Sequence, residues 1–109
     1  MSGESVPIPQ RLSEETIQRE LRDLSGWHLH DGVLHCALTF RDFAEAFSFM
    51  TAAALVSEQL GHHPEWCNTY NRVSIRLFTH DAGGVTDRDI EWVRRVSPFQ
   101  PSSIAHSPK

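Results

Sequence analysis

The sequence predicts an α+β domain, a four-stranded antiparallel sheet with helices packed on one face, in the order α-β-β-α-β-β-α. Three observations predict it. Apolar residues recur at helical spacing in three separate segments. Between those segments lie two pairs of short stretches in which apolar and polar residues alternate, each pair broken by a turn, which is the pattern of a hairpin. A sheet built from such strands has one apolar face to bury, and helices cover it.

The first helix starts at Ser13, a residue that accepts a hydrogen bond from an unpaired N–H of the first turn. Glu14 and Glu15 favour the positive end of the helix dipole, and Leu12 and Ile17 have the spacing of a hydrophobic staple. Ile17, Leu21 and Leu24 form its apolar stripe, and Ser25-Gly26 ends it. Trp27 to His30 and Val33 to Phe40 alternate as strands around Asp31-Gly32, a strong signal for a type I′ turn. Leu34, Cys36, Leu38 and Phe40 fall on one face.

The second helix is long, Phe43 to Leu60, and Asp42 and Glu45 have capping-box spacing at its start. It carries two apolar stripes, Phe43, Phe47, Met50, Ala54 and Phe49, Ala52, Val56, Leu60. A domain this small has little room to bury both, which predicts a contact between subunits. Gly61 suits the position after the helix, where φ is positive. Trp66 to Tyr70 and Val73 to His80 read as a second hairpin, Ala82-Gly83-Gly84 as a loop, and the third helix starts at Thr86, carries Ile90, Val93 and Val96, and stops before Pro98.

At 109 residues and 39% hydrophobic composition the chain is expected to be one domain, residues 12–97, between a flexible arm, 1–11, and a flexible, proline- and serine-rich tail, 98–109. A formal charge of −4 weighs against direct nucleic-acid binding, which needs a basic surface. No apolar run is long enough for a membrane span, and Met1 to Ser5 lack the basic and apolar regions of a secretory signal. Cys36 and Cys67 form no CxxC pair and read as reduced thiols. These features predict a cytoplasmic protein, a nuclear role remaining open.

The chemistry concentrates in Gly61-His62-His63-Pro64-Glu65-Trp66 and Thr79-His80-Asp81. Histidine is the side chain that exchanges protons near neutral pH. If Asn71-Arg72 is the turn of the second hairpin, Tyr70 faces Val73, Trp66 faces Leu77 and His63 faces His80, which brings three imidazoles to one end of the sheet. Pro64 favours an extended backbone at His63. Four readings compete: polar caps on a helix end and a strand end; a metal site of His62, His63, His80, Cys67 and Asp81; metal-free acid/base catalysis; and a surface that recognises a protein. Adjacent histidines rarely share one ion, and no Cys pair or HExxH pattern supports the metal reading. Asp89 belongs to the first turn of the third helix and is also placed to orient a histidine. Trp27 and Trp66 read as core or pocket-wall residues, Arg94-Arg95 as a solvated helix face, and Cys67 shows no sign of activation.

The pattern Glu58, His62-His63-Pro64, Tyr70, His80, Asp89 resembles the signature of the pterin-4a-carbinolamine dehydratases, with Asp42 to Met50, His62 to Val73 and Asp87 to Ile90 as flanking text. The resemblance covers about residues 12–96. It implies removal of water from 4a-hydroxytetrahydropterin to give quinonoid dihydropterin, in recycling of the pterin cofactor of aromatic amino-acid hydroxylases, with no metal and no cofactor. It implies that His62, His63 and His80 are the acid/base residues and Asp89 the supporting carboxylate. The pterin would be gripped by Gly61, His62 and His63 and by Phe78, Thr79, His80 and Asp81. It implies a homodimer or homotetramer, with sheets joined across the dimer and the second helices packed together in the tetramer. Some family members also stabilise the dimer of a homeodomain transcription factor, so the alternative is a protein-binding role, as a dimerisation cofactor or an assembly chaperone. The second strand, Leu34 to Phe40, lacks the basic and aromatic pattern common in the family, and the tail to Lys109 has no counterpart in it.

Overall fold

The structure is a computed structural model and describes residues 9–101; most of the expected arm, residues 1–8, and of the expected tail, residues 102–109, lie outside the described residues. Helix α1 (Glu14–Leu21) is capped by Ser13, whose hydroxyl accepts from the Thr16 N–H at 3.1 Å. It ends earlier than expected, at Leu21, and Leu24 reaches the core from the turn that follows. Strands β1 (Trp27–His30) and β2 (Val33–Thr39) are joined by Asp31-Gly32, both with positive φ, 54° and 76°. That is the turn whose twist matches its strands. Leu34, Cys36, Leu38 and Phe40 are all buried.

Strands β3 (Glu65–Thr69) and β4 (Arg72–Leu77) complete an antiparallel sheet of order β1-β2-β4-β3. Their register corrects the expected one. The turn is Tyr70-Asn71, so Thr69 faces Arg72, Trp66 faces Ile75 and Glu65 faces Arg76. The expected pairs of Trp66 with Leu77 and His63 with His80 do not form. Two side chains set this turn. The Asn68 amide donates to the carbonyls of Tyr70 and Arg72, at 3.0 and 2.9 Å. The Asn71 amide donates to the Phe40 carbonyl at 2.9 Å, and the Phe40 N–H returns a bond to the Asn71 carbonyl at 2.8 Å. Tyr70 takes the positive φ, 52°, that Asn-Arg would have placed one residue later. The slip is by two residues, so every side chain keeps its face.

Helix α2 (Phe43–Leu60) and helix α3 (Asp87–Val96) lie on the apolar face of the sheet. The buried face of α2 is Ala46, Phe49, Ala53, Val56 and Ser57. Phe43 and Phe47 pack on each other at 5.6 Å and are about half exposed, 47% and 52%. Of the stripe Phe43, Phe47, Met50 and Ala54 read from the sequence, Phe43 and Phe47 thus point away from this core, whereas Met50 packs against it. The core itself centres on Trp92, fully buried, which meets Trp27 edge to face at 6.1 Å. Beyond α3, Ser97–Phe99 form a 3-10 turn around Pro98. Gln100, within the stretch expected to be a loose tail, accepts from the Trp27 indole at 3.0 Å and donates to the Ser25 carbonyl at 3.2 Å. Among the described residues no helix is long and apolar enough to cross a membrane.

Candidate active site

Three elements deliver the site. Gly61, with φ 62°, ends α2 and lets the chain turn back, so that the His62 N–H bonds the Ser57 carbonyl at 3.1 Å. The Ser57 hydroxyl accepts from the Trp92 indole at 2.9 Å, which ties this end of α2 to α3. The segment after β4 is closed by paired backbone bonds between Thr79 and Gly84, 2.9 and 3.3 Å, around a 3-10 turn of His80–Ala82. Helix α3 begins with a capping box: the Thr86 hydroxyl accepts from the Arg88 N–H at 3.2 Å, and the Asp89 carboxylate accepts from the Thr86 N–H at 2.8 Å.

These elements meet at Asp89, which is completely buried. One carboxylate oxygen, Oδ1, lies 2.5 Å from His62 Nε2. The other, Oδ2, accepts the Thr79 hydroxyl at 2.8 Å besides the Thr86 N–H. Three hydrogen bonds are what a buried carboxylate needs in place of water. An ionised carboxylate only accepts, which would place the hydrogen of this contact on His62 Nε2; among the described residues Nδ1 makes no hydrogen bond. His62 is itself 8% exposed.

The other predicted residues are placed differently. His63 is exposed and its Nε2 lies 2.8 Å from the Glu58 carboxylate, an open contact that contributes little to stability. His80 is exposed and its ring lies 4.3 Å from that of Phe78, over which Arg76 sits at 5.9 Å. Arg76 in turn bonds Glu65. Gly61 and Asp81 are exposed. Among the described residues, no hydrogen bond or ring contact joins His62, His63 and His80 to one another. What links two of them is Asp89: it accepts from His62 and from the hydroxyl of Thr79, the residue that precedes His80.

A recess of about 310 Å³ is lined by Leu60, Asp87, Arg88 and Glu91, near neighbours of His62 and Asp89 in the chain. None of the three imidazoles is part of its wall. Among the described residues, no three His, Cys, Asp or Glu side chains are grouped as a metal site requires. Thr86 and Ser57 join the site without belonging to the motif that the sequence shows. Thr86 had a signal, since Thr-x-x-Asp is capping-box spacing; Ser57 had none, because its partner Trp92 is 35 residues away.

The fold and this arrangement define a small α+β domain with a carboxylate-held imidazole between helix and sheet. The profile of the pterin 4 alpha carbinolamine dehydratase family matches residues 10–99. A protein of Solibacter usitatus, provisionally named a pterin-4-alpha-carbinolamine dehydratase, is 53% identical over 86 residues, 79% of this chain and 90% of that protein. A Bradyrhizobium protein with the same provisional name is 55% identical over 89 residues, 80% of this chain and 89% of its own. The crystal structure of a transcriptional coactivator/pterin dehydratase from Brucella melitensis superposes with a TM-score of 0.80 at 43% identity, over 84% of this chain and 99% of that one. A pterin dehydratase-like RuBisCO assembly factor of the alpha-carboxysome shares the fold, with a TM-score of 0.57 at 24% identity. This chain belongs to the pterin-4a-carbinolamine dehydratase family.

Proposed function

We propose that this protein dehydrates 4a-hydroxytetrahydrobiopterin to quinonoid dihydrobiopterin and water, a hydro-lyase step in tetrahydrobiopterin recycling in the cytoplasm. The observation that carries the reading is the buried His62–Asp89 pair in a chain of this family. The leaving hydroxyl sits on a carbon bonded to a ring nitrogen, whose electrons expel it. One proton must reach the hydroxyl and one must leave the ring N–H, so the step needs an acid and a base and no net proton. His62, oriented by Asp89, offers Nδ1 for one of these transfers. His63 and His80, both exposed, supply the other. Gly61, Phe78, Thr79 and Asp81 complete the grip on the pterin. No metal and no cofactor enters the scheme.

The test is direct. The 4a-carbinolamine is generated and its dehydration followed with wild type, His62→Ala and His80→Ala. Wild type accelerates the reaction over buffer, and both variants lose about tenfold or more. No acceleration by wild type ends the enzyme reading; variants equal to wild type end the site assignment. Activity persists after dialysis against a chelator.

The half-exposed Phe43 and Phe47, with Leu55 at 62% exposure, favour a second feature, self-association through α2 into a homodimer or homotetramer. Phe47→Glu lowers the mass seen by light scattering, and a wild-type monomer sinks the idea. The same surface is where a protein-binding role would reside, as a dimerisation cofactor or an assembly chaperone; it predicts a partner whose binding survives His62→Ala.

A further inference from the structure

The hydroxyls of Thr79 and Thr86 lie behind the His62–Asp89 pair, and both residues are buried, 3% and 0% exposed. A hydroxyl has one hydrogen to donate. That of Thr79 goes to Asp89 Oδ2. The two hydroxyl oxygens are 2.8 Å apart, so Thr86 must be the donor between them. Thr86 Oγ1 accepts in turn from the Arg88 N–H. Hydrogens therefore point one way along the chain, from Arg88 N–H through Thr86 and Thr79 to Asp89. A proton on Oδ2 would oppose two donors, the Thr79 hydroxyl and the Thr86 N–H. The chain thus favours an all-acceptor carboxylate, and an all-acceptor carboxylate requires the hydrogen of the 2.5 Å contact to sit on His62 Nε2.

We infer that Thr86, acting through Thr79 and Asp89, is a positioning residue that holds His62 as its Nε2–H tautomer and so leaves Nδ1 as the nitrogen open to reaction. Capping α3 needs only an acceptor at Thr86. The donation to Thr79 is a separate bond, with no role in the helix. The tautomer stands on the geometry alone; its consequence for rate rests on the dehydratase reading.

The test uses Thr79→Val, Thr79→Ser, Thr86→Val and Thr86→Ser in the full chain. Thr79→Val breaks the chain in its middle and leaves the cap intact, so it decides the matter if Thr86→Val fails to fold. The ring nitrogens of His62 are read by ¹⁵N NMR without ligand at about pH 8, where a histidine of ordinary pKa is neutral, with His62→Gln for assignment. Wild type shows the hydrogen on Nε2, and the Val variants show a mixture of tautomers. With the carbinolamine, Thr86→Val loses about tenfold or more in kcat with little change in KM and an altered kcat–pH profile, and Thr86→Ser stays within about threefold of wild type, while Thr79→Ser keeps the wild-type tautomer. A folded Thr79→Val protein with the wild-type tautomer overturns the inference, as does a wild type with its hydrogen on Nδ1. If the ring responds as expected but wild type does not accelerate dehydration, the relay stands and the dehydratase reading falls.

Discussion

Two groups of three histidines occur among the described residues, and they live in opposite surroundings. His62, His63 and His80 gather around the end of α2 and the segment before α3. His28, His30 and His35 lie on the face of the sheet away from the helices, where His28 and His35 are cross-strand partners. Their rings stack at 5.8 Å and 17°, and His30 meets His35 at 6.0 Å. The first group includes an imidazole held by a buried carboxylate that two threonines also hold in place. In the second, Arg76 faces His35 across the sheet, and a carboxylate, Asp31, lies exposed beside His30. Burial and nearby cations lower the pKa of His35; His28, Arg76 and His30 all act in that direction after burial itself. A density of imidazoles is thus not a site. A buried partner that fixes one tautomer is what separates the two groups.

The largest expected effect breaks the first group. Asp89→Ala leaves His62, the Thr79 hydroxyl and the Thr86 N–H without their acceptor and removes half of the capping box. Urea unfolding should show a loss of about 2–5 kcal/mol. A loss below about 0.5 kcal/mol, the size of an ordinary surface change, would mean that the pair is not the buried anchor described above.

A middle effect is expected at Ser57, which belongs to the same region without touching an imidazole. Ser57→Ala leaves the fully buried Trp92 indole N–H unpaired, worth about 1–3 kcal/mol by the same measurement. An unchanged midpoint would show that this end of α2 is tied to α3 by packing alone.

On the open face, His35→Thr should change stability at about pH 8 by no more than about 0.5 kcal/mol. Its effect is on pH dependence. Because the folded pKa is lowered, the unfolded chain takes up a proton that the folded chain resists, so wild-type stability is lost as pH falls below about 6.5 and through the folded value. His35→Thr should flatten that decline, as followed by thermal melts from about pH 7 to 5. Equal slopes in the two proteins would place the titration elsewhere.

The smallest effect concerns the cysteines, which repeat the contrast without charge. Burial pushes the Cys36 thiol up to about 12, whereas Cys67 is exposed. A thiol reagent at about pH 8, near the ordinary thiol pKa, should modify Cys67 quickly and Cys36 only on unfolding. Two fast thiols in the folded protein would contradict the burial of Cys36.

Much of the fold was legible in the sequence. Ser13, Asp42 and Thr86 each capped the helix expected of them, and Asp31-Gly32 made its turn. The second hairpin was less legible, because the bonds that set its register run from Asn68 within the hairpin and from Asn71 to Phe40, just beyond the end of β2. Residues Pro98 to Gln100 are composed like a loose tail, yet Gln100 finds Trp27, which is 73 positions away.

By itself, then, the sequence determined the order of elements, the inward face of each strand and the helix starts, because caps, turns and alternation act over a few neighbouring residues. It also determined that the chain carries the residues His62, His63, His80 and Asp89 at the family's spacing. Only the tertiary structure decided which imidazole received the carboxylate, where Phe43 and Phe47 point, and that Thr79 and Thr86 stand in line behind Asp89. Those outcomes depend on how α2, α3 and the segment after β4 are stacked, and the free energy that stacks them comes from burying Trp92, Leu34 and Ile75, residues distant from one another in sequence.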